Sequence, residues 1–180
     1  RGVPVSGYGN VYPFVIAPAY WLFENLVTAY AAVKVINAIV MSLTAIPVYF
    51  IARTLMGRRW SIVASALSVL VPGMAYTGMV MTENAFYPAF ALAAMCAVYA
   101  LQRRTVVWQV LVFVATVLCF EVRPQGAVVA PAFVVGAALL VVLDGAFARE
   151  RRWVSAVATA RSLLVTWILA AATLIGGYLY

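Results

Sequence analysis

Residues 26–53 read LVTAYAAVKVINAIVMSLTAIPVYFIAR. Lys34 is the one charged residue before the run ends at Arg53, and most of the remaining side chains are apolar. A helix needs about 20 such residues to cross roughly 30 Å of hydrocarbon. The stretch therefore predicts a membrane-spanning helix, and the basic turn that follows it holds Arg58 and Arg59.

Further apolar runs follow, each bounded by a short polar turn. Hydrophobic residues make up 67% of the chain and charged residues 9%, whereas soluble domains hold about 25% charged residues. This composition excludes a domain with a water-facing surface. The sequence predicts an all-α fold, a polytopic transmembrane helix bundle of about six spans. The five later spans are expected over about residues 60–71, 85–101, 106–120 and 127–143, and from about 154 onward.

The domain organisation follows from the same pattern. We predict a single transmembrane domain over residues 1–180, in which 26–180 form the helix bundle. Residues 1–25 are rich in Gly, Pro and aromatic side chains and predict an outer loop followed by an interfacial segment. The chain begins at Arg1 rather than Met and stops inside an apolar run at Tyr180, so we expect it to be a fragment of a longer protein.

Arginine is distributed unevenly between the two ends of the predicted spans. The turns near residues 53–59, 103–104 and 149–152 together hold eight arginines. Arg-rich loops stay in the cytoplasm, which predicts a multi-pass protein of the plasma membrane with these loops inside. The turns at 77–84 and 121–126 then lie outside with the N-terminal segment. The net charge of +7 reflects this topology, and no nucleic-acid partner is expected.

The two cysteines give no indication of a metal site. Cys96 and Cys119 both lie inside apolar runs, and the chain contains no histidine. Thiols in such positions behave as small packing residues. We therefore expect no metal ion and no cofactor.

Ionisable residues at membrane depth are costly and usually mark a function. Once the cytoplasmic arginines are set aside, a small set remains, and all of its members belong to the predicted outer face. They are Glu24, Lys34, Glu83, Glu121 and Arg123.

Lys34 lies at helical spacing with Tyr30, Asn37, Met41 and Thr44, which predicts a polar stripe that faces the bundle. On this interpretation Lys34 meets an anionic group in an outer cavity. The alternative is that its side chain extends from the helix to the membrane interface.

Glu83 and Arg123 have local alternatives of the same kind. Glu83 either binds a sugar hydroxyl or braces the site, or it favours the positive end of a helix that Thr82 caps. Arg123 precedes Pro124, which predicts a turn at the interface, and its guanidinium fork matches the geometry of a phosphate. The alternative for Arg123 is a local ion pair with Glu121.

The aromatic stretch at residues 7–13 contains Tyr8 and Tyr12. Amphipathic rings favour the headgroup level of a membrane. These two tyrosines are therefore candidates to line an entrance for a sugar or a lipid.

Several short motifs resemble one enzyme family. They are YGNVYP at 8–13, APA at 17–19, VKVINA at 33–38, IPVY at 46–49, VMTEN at 80–84 with YP at 87–88, and RPQG at 123–126. Together they resemble the polyprenyl-phosphate-sugar-dependent glycosyltransferases of the GT-C fold. The likeness is greatest to actinobacterial members of the protein mannosyltransferase and aminoarabinose transferase-like group.

The resemblance implies a cell-envelope enzyme that moves a sugar from a polyprenyl-phosphate carrier to an acceptor on the outer face of the membrane. Glu83 matches the family's glutamate at the start of a helix, and Arg123 matches its basic residue near the carrier phosphate. The family's catalytic aspartate lies in the first external loop, and residues 1–12 contain no Asp. The catalytic residue is therefore expected upstream of this chain, and its identity stays unknown.

The expected partners are the lipid bilayer and the polyprenyl-phosphate-linked sugar, with an unidentified glycan, lipid or protein as acceptor. A polytopic transporter or lipid flippase is the alternative, because such proteins also bury a few charges among helices. Transporters often show interrupted helices in matching positions of two halves. Here the unusual charges gather at one face, which favours an enzyme that works at an interface.

Overall fold

The computed structural model describes residues 11–70, 76–147 and 152–168, and these residues contain helices and turns but no strand. The helices are α1 (Val11–Leu22), α2 (Leu26–Ser42), α3 (Ala45–Leu55), α4 (Arg58–Val69), α5 (Glu83–Arg103), α6 (Val106–Val122), α7 (Val129–Phe147) and α8 (Arg152–Ser162). A 3-10 turn at Pro124–Val128 joins α6 to α7. The predicted all-α fold is confirmed.

Among the residues that the structure describes, three helical stretches are long and apolar enough to cross a membrane: Leu26–Leu55, Glu83–Arg103 and Pro124–Ala146. The apolar helices α1 and α6 are shorter. In the described residues α4 and α8 have 12 and 11 residues, fewer than the roughly 20 that a span requires. The predicted continuations of these two helices, at 71–75 and 169–180, lie outside the described residues, so the number of six spans stays a prediction.

The first helix lies within the segment for which we predicted a loop and an interfacial segment. Residues 11–22 form α1, with Pro18 inside it and with Tyr12 and Ala19 buried. Proline is tolerated within such helices when neighbouring groups satisfy the freed backbone. Asn25 then caps α2, because its side-chain oxygen accepts a hydrogen bond from the Val27 amide at 2.9 Å. Residues 1–10 lie outside the described residues.

The long span is interrupted once, between α2 and α3. Pro47 lies four residues after Leu43 and has no N–H to donate to the Leu43 carbonyl. That carbonyl accepts instead from the Ile46 amide at 3.1 Å, in a tighter turn. The sequence placed Pro47 inside a span, and the structure shows that it accompanies a local break rather than an end.

Small side chains allow α5 and α6 to pack closely. The buried residues of α5 recur at helical spacing, and four of the six are alanine; they are Asn84, Ala85, Ala89, Ala93, Cys96 and Ala100. Small residues let helix backbones approach each other in membranes. Val112, Phe113 and Ala115 of α6 form a core with this face. The α5–α6 hairpin is therefore the centre of the bundle, and both cysteines are packing residues in it.

The hairpin has two chemically different ends. Glu83 begins α5 and Arg103 ends it, so a rise of 1.5 Å per residue separates them by about 30 Å. We call the end with Glu83 and Arg123 the cavity end. We call the other end, with Arg103 and Arg104, the arginine end.

Candidate functional site

A cavity of about 710 Å³ opens at the cavity end. Three segments enclose it: the start of α1, the residues that lead into α5, and the turn after α6. The lining residues are Tyr12, Pro13, Ile16, Val80, Met81, Thr82, Glu83, Val122, Arg123, Pro124 and Gln125. Most of these side chains are apolar, and Glu83 and Arg123 supply the charges.

Arg123 and Glu83 form an ion pair across the cavity wall, between a terminal guanidinium nitrogen and Oε1 of the carboxylate. Their side chains are 34% and 20% exposed. The Arg123 Nε donates a second hydrogen bond to Gln125 Oε1 at 2.9 Å. Within the described residues the other terminal nitrogen of Arg123 has no hydrogen-bond partner, so it can donate to a bound anion.

The ion-pair partner of Arg123 differs from the one considered from the sequence. We considered Glu121 as a local partner, but the structure pairs Arg123 with Glu83, 40 residues away in sequence. Glu121 precedes Arg123 by two residues, and its side chain is half-buried beside the end of α6. Arg123 follows the last residue of α6 and has an extended backbone, with φ −158° and ψ 130°.

The turn that carries Arg123 depends on a close backbone approach. The Gly126 amide donates to the Arg123 carbonyl at 2.8 Å, and the Arg123 amide donates to the Cys119 carbonyl at 2.9 Å. A Cβ atom on Gly126 would lie 2.5 Å from the Cys119 carbonyl carbon. Glycine is required here because a side chain would collide with the end of α6. Because Gly126 has no Cβ, the turn can lie against the end of α6, and the turn in this position places Arg123 and Gln125.

Glu83 begins α5 as the sequence predicted, but Thr82 does not cap the helix with its side chain. The Thr82 backbone is itself helical, with φ −63°, whereas a capping residue is usually extended. Its hydroxyl instead donates a long hydrogen bond to Glu83 Oε2 at 3.5 Å. The capping part of the prediction is therefore wrong.

Lys34 does not reach the cavity. Its side chain is exposed, and its Nζ lies 4.7 Å from the centroid of the Tyr30 ring. Asn37 and Met41 of the predicted stripe are buried, as expected. The prediction that Lys34 faces the bundle is wrong: the buried row of α2 contains Val33, Asn37 and Met41, and Lys34 is exposed beside it.

The other candidate residues named from the sequence are Tyr12, Tyr8 and Glu24. Tyr12 lines the cavity and is 5% exposed. Tyr8 lies outside the described residues. Glu24 is exposed in the turn between α1 and α2.

Two buried asparagines, Asn37 and Asn84, were not named as site residues. Both are fully buried beside the cavity wall. Their side-chain amides donate to the same backbone oxygen, that of Met79, at 3.0 Å each. Asparagine inside an apolar run was the signal that could have drawn attention to them.

The fold and the cavity define a polytopic membrane protein with a cationic group at the end of its helices. A sequence model of the family described as "Dolichyl-phosphate-mannose-protein mannosyltransferase" matches residues 11–175, and the chain belongs to this family. No curated protein and no solved structure matches the chain.

Family membership confirms the resemblance to GT-C glycosyltransferases. The protein is a membrane glycosyltransferase that uses a lipid-linked sugar. The likeness to actinobacterial members stays a prediction.

Proposed function

We propose that the cavity binds the head of a polyprenyl-phosphate-linked sugar and that the enzyme transfers this sugar to an acceptor. Arg123 carries the proposal, because it lines a cavity between helix ends and, among the described residues, one of its terminal nitrogens has no hydrogen-bond partner. A carrier with its tail in the bilayer brings its phosphate to this level. A guanidinium stays charged there and stabilises the phosphate that departs when the sugar is transferred.

We assign Glu83 a bracing role. Among the described residues it is the one acidic side chain that lines the cavity, and its Oε1 is bound to Arg123. A carboxylate engaged with a guanidinium is a poor base for an acceptor hydroxyl. The base of the reaction therefore remains unassigned.

Tyr12 and Lys34 receive different assignments. The Tyr12 ring lies in the cavity wall, and its hydroxyl donates to Asn37 Oδ1 at 3.1 Å. Tyr12 therefore offers the sugar an apolar face rather than a hydroxyl. Lys34 is left out of the binding site, because its side chain is exposed outside the cavity lining. We retain Tyr8 as a prediction.

The proposed direction is transfer on the outer face of the plasma membrane. The opposite end of the bundle carries Arg103 and Arg104, and positively charged ends favour the cytoplasm. We also propose that residues 1–180 form one transmembrane domain, as the continuous series of apolar segments indicates.

Cysteine labelling in intact cells tests the direction. Val80 at the cavity end is 43% exposed and Met56 next to α4 is 40% exposed, so they form a matched pair. We expect a membrane-impermeant maleimide to label Val80→Cys in intact cells and Met56→Cys after permeabilisation. The native cysteines are buried and add little background. The reverse labelling pattern would contradict the outer-face assignment.

A transfer assay tests the activity. The full-length enzyme in vesicles is given polyprenyl-phosphate sugars, with nucleotide sugars as the control donor. We expect release of polyprenyl phosphate and a glycosylated acceptor from the lipid-linked donor. Movement of the intact lipid-linked sugar across the bilayer, without release of polyprenyl phosphate, would support the transporter alternative instead.

A further inference from the structure

A chain of hydrogen bonds connects α1, α2 and α5 beside the cavity. The Tyr12 hydroxyl donates to Asn37 Oδ1 at 3.1 Å, and Asn37 Nδ2 donates to the Met79 carbonyl at 3.0 Å. Asn84 Nδ2 donates to the same carbonyl at 3.0 Å. A backbone oxygen has two lone pairs, so the two asparagines together satisfy Met79.

The segment held in this way has little regular structure of its own. Asn84 Nδ2 also lies within hydrogen-bond distance of the Tyr76 and Met81 carbonyls, at 3.1 Å each. The two N–H groups of this one side chain are thus shared among three carbonyls of the segment 76–81. Backbone groups outside regular helices need such partners, because an unpaired buried carbonyl is costly.

The held segment leads directly into a wall of the cavity. Val80, Met81, Thr82 and Glu83 follow Met79 without interruption and line the cavity opposite the Arg123 turn. Asn37 does not line the cavity, and neither does Asn84. Both amides therefore act on the cavity through the position of this backbone.

We propose that Asn37 and Asn84 are positioning residues for the lipid-linked donor: by holding the Met79 carbonyl they set the distance between the 80–83 wall and Arg123. This inference rests on the proposed function. The wall meets the donor in both the ground state and the transition state, so its displacement weakens binding more than it slows the chemical step.

The test compares two buried amides in the full-length enzyme. Asn37→Leu removes the bond to Met79. Gln109→Leu is the matched control, because Gln109 is also fully buried and donates to the Ser162 carbonyl at 2.8 Å at the arginine end. We expect both variants to lower the midpoint of thermal unfolding. We expect Asn37→Leu alone to raise KM for the lipid-linked sugar by about tenfold, with kcat changed less than about threefold.

Two results would overturn the positioning role: an unchanged KM in Asn37→Leu, or an equal rise of KM in Gln109→Leu. Tyr12→Phe keeps the inference testable if Asn37→Leu does not fold. Tyr12→Phe removes the hydroxyl that donates to Asn37 and keeps the bond from Asn37 to the Met79 carbonyl. We therefore expect KM to rise by roughly twofold to threefold. A stable Tyr12→Phe enzyme with unchanged KM would count against the proposal.

A second measurement separates this inference from the proposed function. If the wild-type enzyme transfers no sugar from any lipid-linked donor, the proposed function fails, and cysteine labelling still reports the position of the wall. With Val80→Cys as the probe, we expect Asn37→Leu to change the rate of maleimide labelling by about threefold or more and Gln109→Leu to leave it unchanged. Equal labelling rates of Val80→Cys in the Asn37→Leu and Gln109→Leu backgrounds would show that Asn37 does not position the wall.

Discussion

The two ends of the α5–α6 hairpin each carry an arginine–carboxylate pair that joins residues 40 positions apart. At the arginine end, Arg104 contacts Asp144 at 2.8 Å. Arg104 also donates a hydrogen bond to the Thr159 hydroxyl, and this hydroxyl donates to Asp144. At the cavity end, Arg123 contacts Glu83 and Gln125. The side chains of the two arginines are equally exposed, at 34%.

The surroundings of the two pairs differ more than the pairs themselves. Thr159 closes a triangle with Arg104 and Asp144, with hydrogen bonds of 3.1 and 2.7 Å. This triangle joins α8 to α5 and α7. At the cavity end, within the described part of the chain, no third side chain bonds to both members of the pair, and Arg123 lines the cavity. An ion pair alone therefore does not identify a site.

Substitution of the two arginines tests this difference most directly. We expect Arg123→Gln to lower kcat/KM for the lipid-linked sugar by roughly 100-fold, because it removes a charged donor to the departing phosphate. Thermal unfolding should change little, since a partly exposed ion pair that no third side chain among the described residues joins to another helix contributes little to stability. Steady-state transfer and a thermal melt of the same preparation measure both quantities.

Arg104→Gln is the matched control for this experiment. It removes the same charge from an equally exposed pair at the other end of the hairpin. A loss of transfer of the same size in both variants would remove the distinction between the two ends.

The backbone turn beneath Arg123 should be the next most sensitive point. We expect Gly126→Ala to lower kcat/KM by about tenfold, because a Cβ 2.5 Å from the Cys119 carbonyl carbon forces the turn away from α6. Gly136→Ala is the control, since its Cβ would meet the Leu101 side chain at an ordinary 3.4 Å. Transfer that remains at the wild-type level in Gly126→Ala would mean that Arg123 tolerates displacement.

The fold was largely predictable because hydropathy acts locally. The third span was expected over 85–101, and α5 runs from Glu83 to Arg103. The fourth was expected over 106–120, and α6 ends at Val122. Polar turns end apolar runs whatever the tertiary arrangement, so such boundaries follow from sequence. The first helix was not predicted, because the Gly, Pro and aromatic residues of 1–25 were interpreted as a loop followed by an interfacial segment.

The site was predictable only in part. Glu83 and Arg123 were each identified as charges at membrane depth, but their pairing depends on how α5 and α6 pack, and no local pattern encodes it. Lys34 was misplaced because a shared helix face does not ensure shared burial: Met41 lies two turns later on nearly the same face and is buried, whereas Lys34 is exposed. Asn84 was not named as a candidate, because its contacts with the segment 76–81 depend on the path of a backbone that is not regular helix.

The arginine end should respond in stability rather than in activity. We expect Arg104→Gln to lower the midpoint of thermal unfolding by about 2–4 °C, because the contacts to Asp144 and Thr159 join three helices. Transfer at a temperature well below the transition should stay within about twofold of wild type. Thr159→Val is a milder version that keeps the ion pair and should lower the midpoint by less. An unchanged midpoint in both variants would show that the triangle does not stabilise the bundle.

The smallest effect is expected for the neutral partner of Arg123. Gln125 is exposed and accepts one hydrogen bond from Arg123 Nε at 2.9 Å. Such a bond contributes about 0.5 kcal/mol, so we expect Gln125→Ala to lower kcat/KM by roughly twofold. Gln102→Ala, an exposed glutamine at the arginine end, is the control and should have no effect on transfer. Gln125→Ala could instead lower kcat/KM as much as Arg123→Gln does. That result would show that Gln125 itself contacts the donor, and the contrast between the two arginine–carboxylate pairs would then rest on Gln125 as well as on Arg123.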